Sequence, residues 1–149
     1  MNGGQRLSDV LEADHRDLDE RWDRFCEMRA SRRVERQELL DSFREDLLRH
    51  IAVEEEILFP LLQYSDATPR DLRDRLLAEH RQIREVLGRL ATELATDGSL
   101  AEELSVDLVN ILREHNAREE AFAYPWLDDH VTAVQLRETR ERLGLDSGP

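Results

Sequence analysis

The sequence predicts an all-α protein, an antiparallel up-down-up-down four-helix bundle made of two similar helical hairpins. Hydrophobic residues make up 40%, charged residues 37% and aromatic residues 5% of the 149 residues, a composition that favours amphipathic helices over strands. Apolar residues recur at steps of three or four along four segments, which is the period of a buried helix face. The second half of the chain repeats the pattern of the first, so each half is expected to form one hairpin.

The first hairpin is predicted to lie within residues 6–62, with one helix over residues 6–30 and the next over residues 34–62. Each helix has one stripe that is apolar except for a few polar residues. The two stripes are Leu7, Leu11, His15, Leu18, Trp22 and Phe25, and then Phe43, Leu47, His50, Glu54, Ile57 and Leu61. Pro60 lacks a backbone donor, so the second helix is expected to kink or stop there.

The second hairpin has clear signals for where its helices begin and end. Thr68-Pro69 places an N-cap residue before a proline at the first helical position, and Asp97-Gly98 is expected to end the third helix. The run from Ser99 to Glu102 has the pattern of a capping box and predicts the start of the fourth helix. Pro125 is expected to kink or stop that helix. Residues 131–143 are predicted to form a short fifth helix.

The repeat carries the residues that bear chemistry. His15 aligns with His80, and the same offset aligns three further pairs: His50 with His115, Glu54 with Glu119, and Phe59-Pro60 with Tyr124-Pro125. Each half therefore contains one histidine followed by a His-x-x-x-Glu motif. Residues four apart lie one turn apart on the same helix face, so both side chains of each motif are expected to reach one point in the interior.

These polar residues stand on the apolar stripes where leucine is expected. A lone buried histidine usually needs only a hydrogen bond, whereas an unpaired buried carboxylate costs more than the marginal stability of a domain can absorb. We therefore expect two metal ions, each held by two imidazoles and sharing both carboxylates. The predicted ligands are His15 and His50 on one ion, His80 and His115 on the other, and Glu54 and Glu119 between them. The alternative is a metal-free internal network, which is unfavourable when half satisfied.

Imidazole and carboxylate ligands favour iron among the redox metals, with manganese and zinc as alternatives. The neighbours of the proposed ligands have two interpretations: they either accept hydrogen bonds from the ligand imidazoles or are solvated. These neighbours are Asp14, Glu55, Glu79 and Glu120. Tyr124 is either a donor to a bound oxygen species or a packing residue. His130 is predicted to lie on the surface and Cys26 in the core.

The resemblance to a known family rests on four segments: DHRDLDERW around His15, HIAVEEEILFPLL from His50, EHRQIRE around His80 and HNAREEAFAYPWL from His115. Over residues 7–127 they resemble the hemerythrin-like, or HHE cation-binding, family. The resemblance implies a non-haem di-iron centre, with an oxo or hydroxo bridge, inside a four-helix bundle. We expect residues 1–130 to form this bundle and residues 131–149 to add a short C-terminal helix and a frayed tail.

The chain differs from the oxygen-carrying members of that family. Those proteins have a second histidine four residues after the one that matches His80, where this chain has Arg84. Their last motif is His-x-x-x-x-Asp, where this chain has the shorter spacing of His115 and Glu119. The resemblance therefore implies that the centre binds or reacts with oxygen, peroxide or nitric oxide rather than storing oxygen reversibly. The alternative is a non-catalytic iron or oxygen sensor, or a storage module, whose metal site regulates the binding of a protein partner.

Charge and cysteine content restrict the partners and the compartment. The formal net charge of −13 repels phosphate backbones and anionic membrane surfaces, so we expect no nucleic acid and no membrane as partners. The single cysteine rules out an internal disulfide and favours a reducing cytoplasm. All 21 basic residues are arginine, which excludes chemistry that depends on lysine. The expected partner is a small diatomic or peroxide ligand.

Overall fold

The computed structural model describes residues 5–62 and 69–145. These residues form helices joined by short connections and contain no strand, which confirms the all-helical class. The helices are α1 (Leu7–Glu27), α2 (Arg33–Val53), a first π-turn (Glu54–Leu58), α3 (Phe59–Leu62), α4 (Pro69–Ala95), α5 (Ala101–Arg118), a second π-turn (Glu119–Ala123), α6 (Tyr124–Asp128) and α7 (Ala133–Arg142). The predicted N-cap residue Thr68 lies outside the described residues.

The helices pack in pairs around two apolar clusters. Helix α1 packs on α2, α4 packs on α5, and α2 also contacts α4, whereas α6 contacts α1. One cluster contains Leu18 and Ile83, and the other contains Leu11 and Leu76. His15 and His80 stand between these leucines and isoleucines in the sequence, so the predicted ligands form a polar layer between the two clusters. Burial of apolar area on both sides stabilises the helices that carry this layer.

Two π-turns precede the prolines, where sequence reasoning expected a kink or a stop. The Phe59 amide donates to the carbonyl of Glu54, and the Tyr124 amide donates to that of Glu119, each five residues earlier. A proline ring in a regular α-helix collides with the carbonyl four residues before it, and the wider turn makes room ahead of Pro60 and Pro125. The helices therefore widen and continue through α3 and α6, so they do not stop at the prolines.

The start of α5 differs from the expected capping box. The N-cap residue is Leu100, with no side-chain cap. Instead, the Ser99 hydroxyl and the Leu100 amide lie 3.4 and 3.5 Å from a carboxylate oxygen of Glu93 in the preceding helix. Gly98 adopts a φ of 77°, a left-handed conformation that suits glycine at the end of a helix. A side chain of α4 therefore contacts the turn that leads into α5. The predicted capping box at Ser99 was wrong.

The predicted fifth helix forms at Ala133–Arg142. Its capping box is one that sequence reasoning did not identify: the Thr132 side chain accepts from the Gln135 amide at 3.1 Å, and the Gln135 side chain accepts from the Thr132 amide at 2.9 Å. Leu136 and Leu143 pack on the cluster that contains Leu11. The helix thus covers one end of the fold.

Two further side chains have positions that the helical period does not reveal. Both oxygens of the Asp128 carboxylate accept hydrogen bonds from Ser8, one from its amide at 2.9 Å and one from its hydroxyl at 2.7 Å. A residue of α6 therefore satisfies a free amide at the start of α1.

Cys26 is exposed, so its predicted place in the core was wrong. Among the described helices, none combines the length and apolar character needed to cross a bilayer.

Candidate metal centre

The structure brings all six predicted ligands together in the polar layer. Each is at most 4% exposed. They come from six different places in the chain: His15 in α1, His50 in α2, Glu54 at the start of the first π-turn, His80 in α4, His115 in α5 and Glu119 at the start of the second π-turn. Their side chains form two overlapping groups of four: His15, His50, Glu54 and Glu119, here called the first group, and His80, His115, Glu54 and Glu119, the second group.

Within each group, the potential ligand atoms all lie within 4.8 Å of one another. The two carboxylates divide their oxygens between the groups. Glu54 places Oε2 at 3.3 Å from Nε2 of His50 and Oε1 at 3.1 Å from Nε2 of His80. Glu119 places Oε1 at 3.2 Å from Nε2 of His15 and Oε2 at 2.9 Å from Nε2 of His115. Each carboxylate thus presents one oxygen to each group, which is the geometry of a bridging ligand.

Each of the four histidines in the two groups has a further carboxylate next to Nδ1, its outer ring nitrogen. The distances from Nδ1 are 2.7 Å for His15 to Glu120, 2.7 Å for His50 to Asp14, 2.7 Å for His80 to Glu55 and 2.9 Å for His115 to Glu79. A proton on Nδ1 donated to these carboxylates leaves Nε2 as the nitrogen that faces the interior. Of the two interpretations of these four acids, the structure supports contact with the imidazoles.

Arginines contact the outer carboxylates of the second group. Arg84 donates to Glu55 at 2.8 Å, Arg118 donates to Glu79, and Nε of Arg75 lies 3.7 Å from Glu79. The hydrogen bond from His80, together with Arg84, lowers the pKa of Glu55 to about 2 despite its partial burial. Both outer carboxylates of this group therefore stay ionised at neutral pH.

The Tyr124 hydroxyl lies within the first group. The sequence had left open whether this side chain contacts the centre or only packs. Its hydroxyl is buried and donates to Oε2 of Glu54 at 2.6 Å or Oε1 of Glu119 at 2.9 Å. The same oxygen lies 3.1 Å from Nε2 of His15 and 3.5 Å from Nε2 of His50. Burial, and then the charges of the two glutamates, raise the pKa of this phenol well above its usual value.

The position that matches Tyr124 in the first half of the chain is occupied by Phe59, which stacks on His80 with ring centres 5.3 Å apart. Phenylalanine has no hydroxyl, so the second group has no equivalent oxygen. The signal in the sequence was that an aromatic residue precedes the proline in both halves, but only Tyr124 carries a hydroxyl.

The imidazoles of His50, His80 and His115 carry shifted pKa values. Burial alone lowers the pKa of His50, His80 and His115, but the neighbouring carboxylates outweigh burial. The pKa rises to about 10 for His50, where Glu54 acts most strongly, and to about 9 for His115, where Glu119 does. The nearby carboxylates of Glu119 and Glu54 raise that of His80 to about 11. Without a metal, positive charge on these rings is what compensates the buried glutamates.

The donor set fits metal cations better than it fits protons. Oε2 of Glu119 is buried and accepts no well-formed hydrogen bond from the described residues. Nε2 of His80 faces Nε2 of His115 at 3.1 Å, although each ring already has an acid at its Nδ1. A cation held by these nitrogens and oxygens would satisfy all of them at once, and imidazole with carboxylate is a donor set that transition metals accept.

A cavity of about 600 Å³ reaches the centre from one side. It is lined mainly by α1 and α5, and the lining includes His15, His50 and His115. Its lining combines apolar side chains, Trp22 and Phe43 among them, with charged ones such as Asp19 and Arg113. Both histidines of the first group therefore line this cavity.

His130, the remaining histidine, lies on the surface as predicted. It is exposed, its ring stacks on Trp126 at 3.7 Å, and its Nδ1 lies 2.8 Å from the Trp126 carbonyl oxygen. It belongs to neither group of potential ligands.

Comparison with known proteins identifies one family. The family model described as hemerythrin HHE cation binding domain matches residues 5–127, most of the chain. The match includes all six residues of the two groups. The chain matches no curated protein and no solved structure.

Proposed function

The chain belongs to the hemerythrin HHE cation-binding domain family, and from this premise we propose that it is a non-haem di-iron protein that binds or reacts with oxygen, peroxide or nitric oxide. The observation that carries the proposal is the pair of overlapping groups, because each glutamate offers one oxygen to each group. Two cations sharing two carboxylates fit this arrangement. A single cation would leave two imidazoles without a role.

In this proposal, His15 and His50 hold one ion, His80 and His115 hold the other, and Glu54 and Glu119 bridge the pair, with an oxo or hydroxo group as a further bridge. Four nitrogen and four oxygen donors around two ions suit iron. When bound, the iron pair supplies the capacity to bind and reduce a small oxidant. The outer carboxylates keep each imidazole in the tautomer that presents Nε2 to the ion.

The arrangement of the helices that we propose is an antiparallel four-helix bundle built from two hairpins. The support is the packing of α1 on α2 and of α4 on α5, each pair joined by a short connection, which is typical of antiparallel neighbours. We also propose that residues 1–130 make up the metal-binding unit and that the protein works in a reducing cytoplasm. The exposed, unpaired Cys26 is consistent with such a compartment.

The cavity supports the choice of a small oxidant as ligand. A small molecule can reach the centre through this cavity, whose lining includes His15 and His50 as well as Trp22 and Phe43. The Tyr124 hydroxyl lies beside both bridging glutamates, where it can donate a hydrogen bond to an oxygen atom bound at the centre. These features favour reaction or binding at the metal over a purely structural metal site.

The test is elemental analysis combined with an absorption spectrum of the protein purified aerobically from iron-replete cells. We expect about two iron ions per chain and the near-ultraviolet bands of an oxo-bridged ferric pair. Rapid consumption of peroxide would identify an enzyme, whereas a stable complex with nitric oxide or peroxide would favour carriage or sensing, the alternative function. A folded protein that contains no iron and takes none up would refute the proposal.

A further inference from the structure

The two halves of the repeat differ most in the charged residues around the ligand pairs. Three arginines contact the outer carboxylates of the second group: Arg75 and Arg118 on Glu79, and Arg84 on Glu55. The residues that match these arginines in the first half are Val10, Val53 and Asp19. No arginine contacts Asp14 or Glu120, the outer carboxylates of the first group, within residues 5–62 and 69–145.

Asp19 adds to this difference instead of reducing it. It stands where the repeat would place the counterpart of Arg84, and its charge interacts with His15 and Glu120. The positive charge of Arg113 partly offsets the charge of Asp19, while Asp23 adds a further negative charge. The surroundings of the first group are therefore more negative than those of the second.

The Tyr124 hydroxyl adds a third kind of difference. It lies within 3.5 Å of ligand atoms from all four residues of the first group. In the second group, the corresponding side chain is the ring of Phe59. The first group thus offers one more oxygen than the second.

We propose that the two ion positions are unequal, and that the position between His15, His50 and Tyr124 binds a divalent transition-metal cation first and more tightly than the position between His80 and His115. An uncompensated carboxylate at Nδ1 makes an imidazole a stronger donor, whereas an arginine on that carboxylate withdraws negative charge. Coulombic attraction between a dication and nearby carboxylates acts in the same direction. The inference rests on the proposed function, because it assumes that both groups bind metal.

The experiment is a titration of the metal-free full chain with Co²⁺, followed by calorimetry and visible absorption. We expect two binding steps whose dissociation constants differ by roughly tenfold or more. Crystals grown with one equivalent of Co²⁺ should show the stronger anomalous density between His15 and His50. Equal occupancy, or stronger density between His80 and His115, would overturn the inference while leaving the proposed function intact.

Two substitutions with opposite effects test the cause. Arg84→Gln removes the positive charge on Glu55 and should tighten the weaker step severalfold, a gain that misfolding does not produce. Asp19→Asn should weaken the tighter step. The matched control is Arg89→Gln, an exposed arginine of the same helix α4, which should change neither step. If Arg84→Gln leaves the weaker step unchanged, the charge argument is wrong, and a protein that binds no Co²⁺ at all would refute both proposals.

Discussion

The carboxylate of Asp14 lies 2.7 Å from Nδ1 of His50 on the neighbouring helix, although the residue that follows Asp14 in the chain is the ligand His15. The second half repeats this crossing, because Glu79 precedes His80 and lies 2.9 Å from Nδ1 of His115. Each acid thus supports the histidine of the partner helix in its hairpin. These contacts fix how the two helices of a hairpin are placed relative to each other along their axes.

Replacing Asp14 by asparagine should weaken metal binding without unfolding the protein. The amide keeps the size of the side chain but removes the charge that makes His50 a strong donor, and loss of such a partner typically costs about 10–100-fold in metal affinity. Calorimetric titration of the metal-free protein with Co²⁺ measures the effect. The control is Asp17→Asn, an exposed aspartate of the same helix. Equal affinities for the two variants would contradict the role assigned to Asp14.

Removing a predicted ligand should lower the iron content of the purified protein. His50→Ala and Glu119→Ala each delete a donor from the buried layer, whereas His130→Ala changes an exposed ring that stacks on Trp126. Iron per chain, measured by elemental analysis alongside circular dichroism, should fall in the first two variants and stay at the parent value in the third. If all three folded variants retained iron equally, the ligand assignment would be wrong.

The stability of the metal-free protein should fall as the pH rises above neutrality. The folded-state pKa values of His115, His50 and His80 are raised to about 9, 10 and 11 from an ordinary value of 6.5. Because the folded state binds these protons more tightly, their contribution to stability is complete below about pH 6.5 and is lost as the pH rises through about 9 to 11. Urea unfolding at a series of pH values measures this decline.

The protein loaded with two metal ions is the comparison for that experiment. Bound cations replace the ring protons, so its urea midpoint should vary much less over the same alkaline range. Below neutrality, the urea midpoint of the metal-loaded protein should vary more with pH than that of the metal-free protein. The reason is that protons compete with the metal for the imidazoles. A metal-free protein with constant stability between pH 7 and 11 would show that the glutamates are not compensated by charged histidines.

Asp128→Ala should destabilise the fold by about 1–2 kcal/mol, the usual cost of losing a helix cap. The substitution removes the acceptor for the Ser8 amide and hydroxyl, and Arg6, the N-cap residue of α1, makes no side-chain cap hydrogen bond. Urea unfolding of the metal-loaded protein measures the change. Asp129→Ala, at the exposed neighbouring residue, is the control and should stay within about 0.5 kcal/mol of the parent.

Much of the secondary structure was predictable because it depends on local patterns. The apolar period placed the long helices to within a few residues. The helix pattern found in one half of the repeat recurred at the matching positions of the other half. The errors occur where a local signal competes with a contact from elsewhere. Ser99 has the right spacing for a capping box, but the helix begins one residue later, with Leu100 as the N-cap, and the Glu93 side chain lies against the Leu100 amide. Pro60 and Pro125 were expected to kink or stop their helices, and neither proline ends its helix, because a wider turn before it removes the clash.

What the sequence by itself determined is which side chains face the interior, because residues four apart on a helix share a face whatever surrounds the helix. That predicted the six buried imidazoles and carboxylates and their grouping. Only the tertiary structure decided that Asp14 supports His50 and that Tyr124 joins the first group. It also decided that, among the described residues, arginines contact the outer carboxylates of the second group and not those of the first. Such contacts join different helices, and they depend on how far each helix is rotated and shifted against its neighbour, which the period of a single helix does not specify.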